Sequence, residues 1–252
     1  MKFLLILLVS FLVGLEGILD EWQFHQPIIS CTLLGLVTNQ LELGVSIGGL
    51  LQLACLGWVN VGAAVAPDAA LAGVICFIIC YKTYAYNIGL SMLIAIVLSG
   101  FGTFLTGVCR KLAINLVHNM EKELSIMVVT KWHLIALAMQ GARVMLVALI
   151  LMIIPSSVYL TIFSILPDWL YYGLAIGISI VPTVGFAMVY NVIKNKEIIP
   201  FFLLGLGLGA IEELSLFTLF IIALALAIIY VTMTKNKSVV QEDELTKIIE
   251  DY

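Results

Sequence analysis

Long apolar stretches, separated by short polar segments, make up most of the chain. An uncharged apolar run covers 88–109, and further apolar runs cover 132–154, 169–193 and 214–233. A helix that crosses a bilayer needs about 20 apolar residues, so these four runs predict membrane-spanning helices. Residues 1–19 are also apolar apart from Lys2 and Glu16, and no small-residue cleavage site follows them. We therefore interpret this first segment as a retained membrane segment rather than a signal peptide.

Other apolar pieces are too short to cross a membrane. Residues 28–37 and 43–58 are separated by the polar sequence TNQLE, and 198–210 is rich in glycine. Irregular backbone at membrane depth is tolerated only where protein or water covers it. These pieces predict hairpins that enter and leave the membrane on one side. Short, broken pieces near both ends of the chain are also compatible with an inverted structural repeat.

The most unusual stretch is 56–72, LGWVNVGAAVAPDAALA, in which small apolar residues surround one Asn, one Pro and one carboxylate. An acid at the centre of a membrane helix costs about 2.5–3.5 kcal/mol on insertion scales, so a chain that keeps Asp68 there has a use for it. Pro67 lacks a backbone N–H and disfavours helical backbone at Ala66, which predicts a helix break just before the acid. A broken helix beside a carboxylate is typical of transporter binding sites.

Composition indicates a membrane protein as well. Of the 252 residues, 62% are hydrophobic and 11% charged, whereas soluble domains are about 45–50% apolar and about 25% charged. The fold class we predict is an all-α integral membrane protein, a multi-helix transporter with re-entrant hairpins and broken helices. The net charge is −4 and no basic patch suggests a nucleic-acid partner. The five cysteines lie in apolar runs without a Cys/His cluster, so we expect buried packing residues and no metal or other cofactor.

The positions of Lys and Arg predict which side of the membrane each loop faces. The segment 110–131 carries four basic residues, and cytoplasmic loops are enriched in Lys and Arg, so we place the Arg110–Lys131 loop in the cytoplasm. The last spanning run ends at Lys235 and Lys237, on the same side. We expect a membrane-embedded domain over 1–236 and an acidic cytoplasmic tail over 237–252.

Two motifs resemble a known family. The stretches 18–32 (ILDEWQFHQPIISCT) and 56–72 are similar to the IIC membrane component of mannose-family sugar phosphotransferase systems. Supporting matches are 140–144 (QGARV), 185–191 (GFAMVYN) and 199–205 (IPFFLLG). The resemblance implies a multi-pass permease of a bacterial plasma membrane that moves a hexose such as mannose, glucose or fructose inward.

The resemblance also implies partners. The IIC component would work with a second membrane component, IID, in an oligomer of IIC–IID pairs within the lipid bilayer. Soluble phosphocarrier components, IIA and IIB, would phosphorylate the sugar as it is delivered, so the IIC component itself would be non-catalytic and carry no phosphorylated residue. Some bacteriocins dock on this family, which makes them possible partners.

The chain departs from the family pattern at two polar positions. Family members usually have Arg where this chain has Gln26, and Glu where it has Gln52; the segment Thr38–Gln40 also replaces a common Leu-Gly-Asp. If the family glutamate contacts sugar, the loss of its charge can change which hexose is accepted. The departures therefore bear on substrate identity more than on mechanism.

A sugar is neutral and covered in hydroxyls, so its site needs donors and acceptors at fixed positions with little net charge. A carboxylate gives strong bonds to adjacent hydroxyls, and Trp offers an apolar face to sugar C–H groups. The sugar-binding candidates are Asp68, Asn60, Gln52, Asp20, Gln23, His25 and Trp58.

Each candidate also has a structural interpretation. Asp68 and Asn60 could cap the helix ends at Pro67, and the polar residues of 20–27 could form a buried network between hairpins. Gln52 could bond between helices and Trp58 could anchor at the interface. Arg143 is better suited to pair with a buried acid than to contact a neutral sugar.

Two other functions remain open from the sequence. The intramembrane acids would suit an ion-coupled secondary transporter that uses Asp68 or Asp20 for a proton or sodium ion. A membrane scaffold or receptor without transport is the third possibility. Neighbouring genes for the IIA, IIB and IID components would distinguish the phosphotransferase function from both.

Overall fold

The computed structural model describes residues 1–58, 65–118 and 125–250. Within these ranges the chain forms ten α-helices and no strand, which confirms the predicted all-α class. The helices are α1 Lys2–Leu19, α2 Pro27–Thr38, α3 Leu41–Ala54, α4 Ala69–Lys82, α5 Ile88–His118, α6 Ile126–Ile153, α7 Ser156–Ile165, α8 Asp168–Ile193, α9 Ile199–Gly209 and α10 Leu216–Glu250.

Nine of the ten described helices fall into two length classes; the other, α8, has 26 residues, and the prediction that 169–193 crosses the membrane stays a prediction. Among the described residues, four stretches are long and apolar enough to cross a membrane: α1, α5, α6 and the part Leu216–Thr234 of α10. The helices α2, α3, α4, α7 and α9 have only 10 to 14 residues, against the roughly 20 that a crossing needs. The short apolar pieces read from the sequence are therefore short helices. Their re-entrant course and the inverted repeat stay predictions.

The polar segment 110–131 is not the loop that we predicted. Helix α5 continues through Arg110 to His118, and α6 begins at Ile126 after Ser125, whose hydroxyl accepts a hydrogen bond from the Val128 N–H at 3.3 Å. Hydropathy marks where a helix leaves the membrane, whereas a helix ends where its backbone finds a cap. Charged residues are good helix formers, so they extend the helix past the apolar run. For the same reason α10 runs to Glu250, beyond the apolar run that ends at Met233.

The chain divides into two compact units, Met1–Tyr190 and the part from Asn191 onward. In the second unit, α10 packs beside α9, where the Tyr230 hydroxyl donates to Glu197 Oε2 at 2.6 Å and the Tyr230 ring meets Phe201 edge-on. This boundary separates two compact units, whereas the boundary that we predicted, between 1–236 and 237–252, separates a membrane-embedded part from a solvent-exposed tail. The division into units therefore does not test the predicted tail.

Helix α4 is the centre of the first unit. Every residue from Ala70 to Cys80 is buried, so no face of this helix is left for lipid. At its C-terminal end, Lys82 Nζ donates to the carbonyl of Met152 at 2.7 Å and to that of Ile154. These carbonyls lie at the end of α6, where a helix leaves acceptors without partners and attracts a cation. Lys82 therefore joins α4 to the C-terminal end of α6.

Helices α2 and α3 form a hairpin with very close backbone contact. The turn contains Asn39 in the left-handed conformation (φ 61°), and the Gln40 N–H donates to the Gly35 carbonyl at 2.8 Å. A Cβ placed on Gly48 would lie 2.9 Å from the carbonyl oxygen of Pro27 and 3.0 Å from Cα of Ile28. Glycine at 48 thus sets the distance between α3 and the first turn of α2.

We expect Gly48→Ala to destabilise the protein by about 1–3 kcal/mol, because its new methyl group would overlap backbone atoms that cannot move independently. Gly49→Ala is the matched control on the same helix, since its Cβ would meet nothing closer than Ile28 Cδ1 at 3.8 Å. The unfolding of both variants in detergent, induced by heat or denaturant, measures the difference in stability. Equal stability of the two variants would contradict this account of the hairpin.

Candidate functional site

Several helix ends meet around one cavity of about 360 Å³ in the first unit. The end of α1, the start of α2, the start of α4 and the facing sides of α5 and α6 all contribute to its wall. Its polar lining includes His25, Gln26, Asp68, Thr103, Thr106 and Arg143. A second cavity of about 530 Å³ adjoins it and shares Gly17, Ile18, His25 and Arg110 with it.

Asp68 is the N-cap of α4, as its structural interpretation predicts. Its backbone is extended, its Oδ1 accepts the Leu71 N–H at 3.0 Å, and α4 begins at the next residue. A carboxylate at this position satisfies a backbone donor and complements the positive end of the helix. The described residues before it, 65–67, are not helical, so the break predicted at Pro67 is confirmed for them.

The second carboxylate oxygen of Asp68 pairs with a buried guanidinium. Arg143 Nη1 donates to Asp68 Oδ2, and the side chains of Arg143 and Asp68 are only 4% and 11% exposed, respectively. Arg143 also donates to the Gly102 carbonyl at 3.3 Å and, through Nε, to Gln140 Oε1 at 3.2 Å. The prediction that Arg143 pairs with a buried acid is confirmed. The pair joins α4, α5 and α6 and carries no net charge itself.

The polar residues after α1 form a hydrogen-bonded chain. Gln23 Nε2 donates to Asp20 Oδ1 at 2.5 Å, and Gln23 Oε1 accepts from Gln26 Nε2 at 3.1 Å. Gln26 Nε2 also lies 3.2 Å from His25 Nε2, while Asp20 Oδ1 lies 3.6 Å from that nitrogen. The residues of 20–27 therefore form a hydrogen-bonded network, but it is not the buried one that we predicted, because Asp20 and Gln23 are exposed.

Gln52 connects this network to α3. Its Nε2 donates to Gln26 Oε1 at 2.9 Å, and its Oε1 accepts the Ile28 N–H at 3.3 Å. Gln26 and Gln52 are the two positions at which the chain departs from the family it resembles, and they contact each other directly. Substitution at one of them therefore changes the hydrogen bonding of the other.

The sequence candidates are distributed unevenly around the cavity. Asp68, His25 and Trp58 line it, and Asp20 lines the adjoining one. Gln23 and Gln52 line neither cavity and act on the wall through Gln26. Asn60 lies outside the described residues.

Sequence reasoning missed several residues of the cavity wall: Gln26, Thr103, Thr106 and Arg110. The two threonines lie three residues apart, between Gly102 and Gly107, and this spacing places them on one side of α5. That spacing was the available signal. Threonine is common in membrane helices, however, because its hydroxyl can bond to the preceding turn, as Thr106 does to the Gly102 carbonyl at 3.0 Å.

Comparison with known proteins identifies the family. The family model for the sorbose-specific IIC component of the phosphotransferase system (PTS) matches residues 1–229. The chain belongs to this family. As an IIC component it is a multi-pass membrane protein of a sugar phosphotransferase system, which favours that function over ion-coupled transport.

Individual relatives cover nearly the whole IIC component. The fructose permease IIC component of Bacillus subtilis (strain 168) is 34% identical over 241 residues, 94% of this chain and 89% of that protein. The mannose-specific EIIC component of Escherichia coli (strain K12) is 33% identical over 238 residues, covering 93% and 89%. The cryo-EM structure of the mannose transporter ManYZ with microcin E492 has a TM-score of 0.59 at 34% identity, covering 92% of this chain and 94% of that chain.

We expect Arg143→Gln to lower the free energy of unfolding by about 3–5 kcal/mol, because it leaves the Asp68 carboxylate buried without its cation. The double variant Asp68→Asn/Arg143→Gln should be more stable than Arg143→Gln alone, since the second change removes that charge. Denaturant unfolding of the two single variants and the double variant in detergent gives the coupling energy. Additive losses would show that the pair is not coupled.

Proposed function

We propose that this IIC component moves a hexose of the mannose, glucose or fructose type inward, where partner components phosphorylate it. The observation that carries the proposal is the cavity at the meeting point of broken helices, whose one buried acid is neutralised by Arg143. A neutral, hydroxyl-rich solute needs donors and acceptors at fixed positions, and this wall supplies them around the neutralised pair, with Arg110 as a further, exposed cation.

The size and chemistry of the cavity support sugar binding. Its volume of about 360 Å³ falls within the roughly 300–1,000 Å³ of small-molecule sites. Asp68 and the threonine hydroxyls offer acceptors, and His25 offers an imidazole nitrogen. Trp58, half-buried at the wall, would present its ring to sugar C–H groups. We assign Asp68, His25, Trp58 and Asn60 to sugar contact.

The remaining candidates would hold the site in shape. Gln52 fixes the first turn of α2 through the Ile28 N–H. Asp20 and Gln23 support Gln26 from the other side. In this assignment they influence which hexose is accepted without contacting it.

The proposal includes partners and orientation. The IID component would pair with this chain in an oligomer of IIC–IID pairs, and the IIA and IIB components would bring the phosphoryl group. The similarity to the structure of ManYZ with microcin E492 supports two kinds of partner: a second membrane component and a bacteriocin. We place the protein in a bacterial plasma membrane. The segment 110–131 and the C-terminal tail would face the cytoplasm, because clustered basic residues lie within this segment and just before the tail.

We expect Asp68→Asn and Asn60→Ala to reduce sugar uptake and phosphorylation at least tenfold in the complete complex, since the first removes the charge of an acceptor and the second removes a polar contact to the sugar. The measurement is uptake of labelled hexose by cells with equal membrane levels of each variant. Asn115→Ala, an exposed position on α5, is the control and should transport normally.

Normal rates in both site variants would remove these residues from the site. Uptake that an uncoupler abolishes, but that does not need the soluble phosphocarrier proteins, would instead indicate ion-coupled transport.

A further inference from the structure

The side-chain amides between α2 and α3 have only one consistent orientation. A backbone N–H can only donate, so the Gln52 atom facing the Ile28 N–H must be its carbonyl oxygen. The Gln52 amide nitrogen then faces Gln26, whose atom at 2.9 Å must be an oxygen. The Gln26 nitrogen in turn points away from Gln52. The Ile28 N–H, which can only donate, therefore fixes the direction of both hydrogen bonds of Gln52.

This order determines the protonation of the His25 ring. The Gln26 amide nitrogen carries two hydrogens, and its neighbours are Gln23 Oε1 at 3.1 Å and His25 Nε2 at 3.2 Å. An NH₂ group brings a hydrogen to Nε2, so Nε2 must accept and cannot carry a proton itself. The Asp20 carboxylate is farther away, at 3.6 Å, and already accepts from Gln23. His25 is thus held as the neutral tautomer with its proton on Nδ1.

That proton has no acceptor in the part of the chain that the structure describes. Among the described residues, His25 Nδ1 is the one buried side-chain nitrogen or oxygen without a hydrogen-bond partner. Buried polar groups in native proteins are nearly always paired, and an exception calls for a specific reason. His25 lines both cavities, so a ligand in either one lies beside this residue.

We infer that the Gln52–Gln26 pair fixes the Nδ1–H tautomer of His25 so that Nδ1–H can donate to an oxygen of the bound sugar. Gln26 and Gln52 are positioning residues in this scheme, because they act through the imidazole. Nδ1 is buried in the structure, so the contact needs a small shift of the ring toward the cavity. The inference rests on the proposed function for the identity of the ligand, whereas the tautomer itself does not.

The tautomer can be measured directly because the chain has only three histidines. The full chain, labelled with ¹⁵N-histidine and assembled with its unlabelled IID partner in lipid nanodiscs, gives separate signals for protonated and unprotonated ring nitrogens. The signals that are missing from the spectrum of the His25→Asn variant are those of the His25 ring. We expect a protonated Nδ1 and an unprotonated Nε2, and a shift of the Nδ1 signal when sugar is added.

Two variants test the role of the amides. In Gln52→Glu the carboxylate still accepts the Ile28 N–H but cannot donate, so Gln26 must turn and present its oxygen to His25. We expect the His25 proton to move to Nε2 and sugar affinity to fall about tenfold, the effect of one lost hydrogen bond. In Gln26→Arg/Gln52→Glu the guanidinium can only donate, so the Nδ1–H tautomer and most of the affinity should return. Gln40→Glu, at the other end of α3, is the control for an added charge.

Each result has a defined meaning. A proton on Nε2 in the unchanged protein, or the same tautomer in Gln52→Glu, overturns the assignment of the amides. A tautomer that follows the amides while sugar affinity stays constant overturns the donor role of His25 and leaves the proposed function intact. If the unchanged complex binds no sugar, the proposed function and the donor role both fail, while the tautomer is still decided by the spectra.

Discussion

The ion pair between Asp68 and Arg143 is the interaction on which the rest of the first unit depends. It fixes the start of α4 against α5 and α6, while Lys82 fixes the end of α4 to the last carbonyls of α6. A helix of 14 residues is about 21 Å long, too short to bring both ends to water. In such surroundings unpaired helix ends are costly, so each end of α4 carries a charged partner. The two contacts fix both ends of α4 to α6 or its last residues.

The same arrangement explains why a carboxylate is tolerated at the cavity. One oxygen of Asp68 caps the helix and the other accepts from Arg143, so the negative charge of Asp68 is compensated. Each oxygen still has a lone pair that can accept a hydrogen bond from a ligand. A proton or a sodium ion would have to compete with a guanidinium for this acid. A neutral solute does not, and that difference agrees with the membership of the chain in a sugar phosphotransferase family.

The sequence predicted those features that depend on local chemistry. Proline beside an acid predicted the break and the cap, and an arginine in an apolar run predicted a buried acidic partner; both are confirmed. It could not predict that α5 continues to His118, because hydropathy identifies the apolar part of a helix and not a polar continuation of it. Nor could it pair Gln26 with Gln52, since 26 residues separate them and an amide pair leaves no charge pattern in the chain. The two departures from the family pattern looked independent in the sequence, whereas in the fold they are one contact.

One further contact bears on how the protein is assembled. Lys2 Nζ donates to the carbonyl of Thr38 at 2.8 Å, where α2 ends. Both partners belong to the first three helices, so this contact needs none of the residues that follow α3. Helices α1 and α2 can therefore associate before the chain through α6 is complete. The close hairpin of α2 and α3 is likewise built from residues that all precede the buried central helix α4.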